Sequence, residues 1–132
     1  MTADGKALAN AEAAVAALGT FLGVPVISDR DRAGVIQAFE FSFEAVWKLL
    51  KAMAEREGLP AESPRRALVA GHSLGFIDDE ALWLAMLADR NLTTHTYHHQ
   101  VAARIFAAVR DRYALALTAA VQACRGGDDR PG

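Results

Sequence analysis

Apolar residues recur at steps of three and four along most of the chain, which is the spacing of one face of an α-helix. The pattern covers four long segments, at about residues 4–22, 29–57, 80–90 and 96–124. Runs that would favour strands are scarce and alanine is abundant, so the sequence predicts an all-helical bundle.

Capping residues separate these segments. Ser28 or Asp29 can cap the second helix, because short polar side chains accept hydrogen bonds from the first free amides of a helix. Ser63 followed by proline predicts a short extra helix over about residues 65–73. The three carboxylates at 78–80 favour the positive start of the next helix, and we prefer this interpretation to a metal site.

Length and composition bound the organisation of the chain. Its 132 residues predict a single domain over 1–125, followed by a disordered tail over 126–132. A net charge of −2 excludes a broadly basic coat for nucleic acid. The one cysteine fits a reducing compartment, and no apolar run has the length of a membrane span. We therefore predict a soluble cytoplasmic protein without a membrane segment.

The segment 89–97, DRNLTTHTY, interrupts the apolar pattern with polar chemistry. It holds a permanent cation at Arg90, an imidazole at His95 and a phenol at Tyr97. The polar β-branched residues within 92–94 weaken helix continuation, so a bend or short break is expected there. The three functional side chains should then cluster on one bend.

Arg90 and His95 can together perform phosphate chemistry. An arginine matches phosphate oxygens with its planar fork of donors, and a histidine can move a proton near neutral pH. The imidazole could take the proton of a ribose 2′-hydroxyl while the guanidinium stabilises charge on the phosphorus centre. The alternative is that both side chains only satisfy carbonyl groups at a helix junction.

The C-terminal half carries an excess of arginine. Residues 90–125 contain one acid, Asp111, against five arginines, which are Arg90, Arg104, Arg110, Arg112 and Arg125. This half could face an anion, although arginines on a long helix often only keep one face solvated.

Two further clusters could hold a cation. His95, His98 and His99 resemble a metal-binding face, but no carboxylate or cysteine accompanies them. Glu40 and Glu44 lie one helical turn apart, and ion pairs with Lys48 or with neighbouring arginines explain them better. We expect no metal or cofactor of the chain's own.

Several stretches resemble the nucleotidyltransferase substrate-binding protein family, a branch of the HEPN domains. The stretches are residues 36–48, 63–65, 75–79 and 83–97. This resemblance implies an antiparallel up-down four-helix bundle, here with the short extra helix, that forms a homodimer. It also implies a partner, a small separate nucleotidyltransferase encoded nearby that carries the nucleotide and metal site.

The same resemblance assigns roles to residues. In related HEPN toxins, the residues that match Arg90 and His95 perform ribonuclease chemistry in a cleft between two subunits. In some such pairs the partner silences the toxin by adding AMP to the tyrosine that matches Tyr97. Relatives often carry acids just after this tyrosine, whereas this chain has His98 and His99, which could alter docking of the partner or make the cleft more basic.

Two main hypotheses follow, and a purely structural bundle is the third. The first is a substrate-binding or acceptor subunit that partners a minimal nucleotidyltransferase in a toxin-antitoxin-like pair. Its candidate contacts for substrate or partner are Glu40, Glu44, Trp47 and Lys48. The second is a metal-independent ribonuclease toxin that acts on RNA through Arg90 and His95, with Asn91 orienting the phosphate, and that is silenced by AMPylation of Tyr97.

Overall fold

The computed structural model describes residues 3–95 and 98–128, and within them every regular element is helical. The elements are α1 (Ala3–Leu22), α2 (Asp29–Arg56), α3 (Pro64–Ser73), α4 (Glu80–Leu92), a 3₁₀ turn (Thr93–His95), α5 (His99–Ala108), a π-helical turn (Val109–Tyr113) and α6 (Ala114–Asp128). The prediction of an all-α protein with a short extra helix is confirmed.

The predicted capping residues start their helices. The hydroxyl of Ser28 accepts a hydrogen bond from the Asp31 amide at 3.1 Å and so begins α2. Asp79 caps α4 by accepting from the Leu82 amide at 3.0 Å, which confirms capping as the role of this acidic stretch.

Helix α2 is the centre of the bundle, since it contacts α1, α3, α4, α5 and α6. An aromatic cluster fills the core beside it. Phe39 stacks against Tyr113 with ring centroids 5.6 Å apart, and Phe43 meets the Trp83 ring edge to face at 6.5 Å. All four rings are buried, so they fix α4 and the π-helical turn against α2.

The C-terminal part of the chain departs from prediction in three ways. The last helix starts at His99 in the described part of the chain, whereas Thr96, its predicted first residue, lies outside that part. The π-helical turn interrupts it. Helix α6 also continues to Asp128, so the tail predicted to begin at Gly126 is helical over its first three residues. Residues 129–132 lie outside the described residues.

The π-helical turn has a visible cause in the sequence. The buried residues Ile105, Val109, Tyr113 and Leu117 follow one another at three successive steps of four. An α-helix turns once in 3.6 residues, so this series would drift off the buried face. The Ala114 amide bonds to the Val109 carbonyl, five residues back, and the wider turn keeps the series facing the core.

Among the described helices, none combines the length and apolar character needed to cross a membrane.

Candidate functional site

The last turn of α4 presents the candidate cation. Arg90 is half-buried and Asn91 is exposed in this turn. The Thr93 hydroxyl donates to the Arg90 carbonyl at 2.7 Å, which closes the helix and starts the 3₁₀ turn. The break predicted over residues 92–94 is therefore confirmed, and its polar hydroxyls take part in it.

Arg90 and Asn91 open onto a small pocket between α2 and α4. The pocket has a volume of about 230 Å³. Its lining combines aromatic, acidic, amide and cationic side chains, which are Phe43, Glu44, Trp47, Pro64, Leu87, Arg90 and Asn91. One wall is thus apolar while the others offer hydrogen bonds.

Two of the four candidates on α2 belong to this pocket. The indole Nε1 of Trp47 donates to Glu44 Oε2 at 3.0 Å, which fixes both side chains against each other. Lys48 pairs with Glu44 Oε1 at 3.4 Å but lines a different hollow, beside Lys6. Glu40 lines another pocket, of about 800 Å³, near the turn from α1 to α2. The structure therefore brings Glu44 and Trp47, but not Glu40 or Lys48, to Arg90.

The histidines lie beyond the helix end. His95 closes the 3₁₀ turn and is exposed, as are His98 and His99 at the start of α5. Tyr97, the candidate modification site, lies outside the described residues. Among the residues that are described, no three His, Cys, Asp or Glu side chains form a group that could hold a metal ion.

Most arginines of the C-terminal half already have carboxylate partners. The pairs are Arg104 with Asp89 at 2.8 Å, Arg110 with Asp111 at 2.7 Å and Arg125 with Glu12 at 2.6 Å. Arg112 lies over the Tyr113 ring, 5.5 Å from its centroid. Within the part of the chain that the structure describes, no ion pair or side-chain hydrogen bond involves the Arg90 guanidinium. Among the described residues, the Arg90 guanidinium therefore faces a pocket without an ion-pair partner.

Asp89 is the residue that sequence reasoning missed. Its side chain is 7% exposed, and it accepts two hydrogen bonds from Arg104, at 2.8 and 3.2 Å, and one from the Tyr113 hydroxyl at 2.5 Å. The hydrogen bond to Asp89 raises the pKa of Arg104. Burial first, and then the same carboxylate, raise the pKa of Tyr113, so this phenol stays a donor.

A sequence signal for Asp89 does exist. It follows Trp83 and Met86 at steps of three, which places a carboxylate on the buried stripe of α4. A buried carboxylate needs charged or hydrogen-bonding partners, so this position predicts a network even where its members are unknown.

One protein-family model, described as "Nucleotidyltransferase substrate binding protein like", matches residues 6–125. The chain is 36% identical to a Thermus thermophilus protein of known structure, with a TM-score of 0.80 over 87% of this chain and 98% of that one. It is 25% identical to a Haemophilus influenzae protein, with a TM-score of 0.69 over 92% and 96% of the two chains. That structure is described as revealing the fold of a substrate binding domain of a nucleotidyltransferase.

A further similarity concerns an enzyme. The chain is 29% identical over 91 residues to a Haemophilus influenzae Rd protein described as "Probable ribonuclease HepT". The match covers 65% of this chain and 62% of the length of that relative.

Proposed function

This chain belongs to the nucleotidyltransferase substrate-binding protein family, and from that premise we propose that it is the substrate-binding or acceptor subunit of a separate minimal nucleotidyltransferase. One observation carries the proposal to a site. Arg90 faces a 230 Å³ pocket without an ion-pair partner among the described residues, while the carboxylate next to it, Asp89, is fully occupied by Arg104 and Tyr113. A phosphate-bearing group is the natural counter-charge for such a guanidinium.

The acceptor form of this function places the reaction at Tyr97. The phenolic oxygen would attack the α-phosphorus of ATP bound by the partner, forming a phosphodiester with AMP. The bond between the α- and β-phosphates breaks, pyrophosphate leaves and the phenolic proton passes to solvent. Arg90, seven residues before Tyr97 in the sequence, supports this form because a guanidinium is a good partner for a transferred phosphate.

Intact-mass spectrometry tests the acceptor form. The chain is incubated with the nucleotidyltransferase encoded beside it, ATP and Mg²⁺, and we expect mass gains in steps of one AMP. Tyr97→Phe should abolish the gain, whereas Thr94→Ala, which removes an exposed hydroxyl nearby, should keep it. A gain that survives Tyr97→Phe would overturn the acceptor assignment. A stable complex without any gain would leave a subunit that holds another molecule's substrate.

A second candidate function is a metal-independent ribonuclease in a toxin-antitoxin-like pair. The similarity to a probable ribonuclease supports it, as does the placement of Arg90, Asn91 and His95 around one helix end. His95 would remove the 2′-hydroxyl proton, and the 2′-oxygen would attack phosphorus and expel the 5′-oxygen, which takes up a proton from solvent. Arg90 would stabilise the charge that develops, and Asn91 would orient the phosphate.

Cleavage of RNA in the presence of EDTA tests this candidate. The isolated chain should cleave single-stranded RNA and leave 2′,3′-cyclic phosphate ends. His95→Ala should abolish cleavage yet keep the complex with the nucleotidyltransferase. His72→Ala is the matched control. It removes a histidine of α3 that pairs with Glu80, the first residue of α4, at the end of that helix opposite Arg90. Equal cleavage by wild type and His95→Ala would exclude this chemistry.

The resemblance also leads us to propose a homodimer that brings two copies of Arg90 and His95 to one cleft. Light scattering coupled to gel filtration tests it, and the mass of a monomer at working concentration would contradict it.

A further inference from the structure

One ion pair, between Asp89 and Arg104, joins the residues on either side of the segment 90–103, which carries the candidate reactive side chains. Asp89 immediately precedes Arg90, and Arg104 lies in the second turn of α5. Between them are Arg90, Asn91, His95 and Tyr97. The Asp89 carboxylate accepts from both terminal nitrogens of Arg104, at 2.8 and 3.2 Å, so the pair closes this segment like a loop.

The geometry of the pair fixes direction as well as distance. Two parallel hydrogen bonds between a planar guanidinium and a planar carboxylate hold the two groups in one orientation, which a single contact cannot do. A third hydrogen bond, 2.5 Å long, comes to the same carboxylate from the Tyr113 hydroxyl. The Tyr113 ring is itself held by Phe39, whose ring stacks on it at 5.6 Å. The ion pair between Asp89 and Arg104 is thereby connected, through Tyr113, to the aromatic cluster of the core.

The three residues differ in how deeply they lie. Asp89 and Tyr113 are buried, whereas the Arg104 side chain is 54% exposed. Tyr113 is the last residue of the π-helical turn, which begins directly after α5. Interruptions of this kind are rare and lie frequently at functional sites.

We propose that Asp89, Arg104 and Tyr113 are positioning residues, which hold the segment 90–103 in the geometry that nucleotide transfer or RNA cleavage requires. This inference rests on the proposed function for its effect on turnover. Its effect on the segment itself is independent of any activity. Displacing a reacting group by about 1 Å can cost on the order of a hundredfold in rate, so a small shift of this segment would be measurable.

Two mild variants and one matched control separate positioning from simple loss of stability. Tyr113→Phe removes one hydrogen bond and keeps the ring, and Arg104→Lys keeps the charge and loses the two-pronged contact. Arg125→Ala breaks another ion pair between helices far apart in sequence, that of Arg125 with Glu12. The Arg125 side chain is 49% exposed, close to the 54% of Arg104, whereas its partner Glu12 is not buried as Asp89 is. Wild type, these three variants and Arg104→Ala are compared by thermal melting, by backbone hydrogen exchange and by turnover in the complete complex with the nucleotidyltransferase.

We expect faster hydrogen exchange at residues 90–95 and 98–103 in Tyr113→Phe and Arg104→Lys, and not in Arg125→Ala. Turnover should fall about tenfold or more in both, while the KM for ATP stays unchanged because the partner binds ATP. Arg104→Ala should lose more than Arg104→Lys, which keeps one contact. The proposal fails if exchange in the segment is unchanged, or if Arg125→Ala loses as much turnover at an equal fall in melting temperature. Absence of all activity in the wild type would contradict the proposed function, and the exchange data would still decide whether the three residues hold the segment.

Discussion

The hydroxyl of Tyr113 donates a 2.5 Å hydrogen bond to the Asp89 carboxylate, across 24 residues of sequence. Burial and the nearby negative charge both favour the neutral phenol, so they raise the pKa of Tyr113 above its ordinary value near 10. The Tyr113 hydroxyl therefore stays a hydrogen-bond donor over the whole physiological pH range. Two consequences can be measured.

Tyr113 should make folding stability sensitive to alkaline pH. In the unfolded chain its phenol ionises near pH 10, whereas in the folded chain it keeps its proton. The stabilisation is complete below pH 10 and declines as the pH rises above it, by up to about 1.4 kcal/mol per pH unit. Urea unfolding at pH 8 and at pH 10.5 should therefore show that the advantage of wild type over Tyr113→Phe shrinks at the higher pH. Tyr97 is present in both proteins and cancels. An advantage that is constant with pH would contradict burial of a neutral Tyr113.

Removal of Asp89 should destabilise the protein. Asp89→Ala leaves the buried Tyr113 hydroxyl without its acceptor, which costs about 1–3 kcal/mol of unfolding free energy. Asp111→Ala is the matched control, since it also breaks an arginine pair, but one whose two side chains are more than half exposed. Chemical denaturation should show a large loss for Asp89→Ala and little change for Asp111→Ala. Equal effects of the two changes would mean that the buried network adds nothing.

The sequence predicted the helices well because local signals agreed with the tertiary packing. Ser28 and Asp79 are short polar side chains at the boundaries of apolar stripes, and each caps a helix. The pairing of Asp89 with Arg104 and Tyr113 was not predicted. It joins residues 15 and 24 positions apart, and no local pattern specifies which distant side chains will meet.

The predicted end of the last helix was wrong for a related reason. Two glycines followed by aspartates are typical of a flexible tail, because glycine has the highest backbone entropy to lose. In the structure Gly127 lies beside the Phe76 ring and Met53, so packing against the body of the protein compensates for that entropy. The role of Phe76 could not be inferred from the local sequence.

Replacing glycines near the end of α6 tests its length. A Cβ atom at Gly126 would meet nothing within 4 Å, so Gly126→Ala should stabilise the protein by roughly 0.5–1 kcal/mol. A Cβ atom at Gly127 would come within 2.9 Å of the Phe76 ring, so Gly127→Ala should gain less or lose stability. Differential scanning calorimetry of the two variants provides the comparison. If both were neutral, residues 126 and 127 would not be part of a packed helix.

Trp47 should report binding to the pocket beside Arg90. It lines that pocket and is half-buried, whereas the other tryptophan, Trp83, lies in the core. Titration with AMP, a probe that carries a phosphate and an aromatic base, should change the fluorescence of wild type and leave Trp47→Phe unresponsive. Arg90→Ala should weaken binding by about tenfold or more, because it removes a charge-assisted contact with the phosphate.

Net charge alone could produce part of that loss, and a second arginine separates the two causes. Arg30 is exposed near the start of α2 and lines a different pocket, so Arg30→Ala changes the total charge equally. It precedes Phe43, the first α2 residue that lines the Arg90 pocket, by 13 residues of one helix, which is about 20 Å at about 1.5 Å per residue. We expect Arg30→Ala to bind AMP as wild type does at about 0.15 M salt, where charges farther apart than about 8 Å are largely screened. Equal weakening by Arg30→Ala and Arg90→Ala would mean that AMP responds to the overall field of the protein. The pocket between α2 and α4 would then not be its binding site.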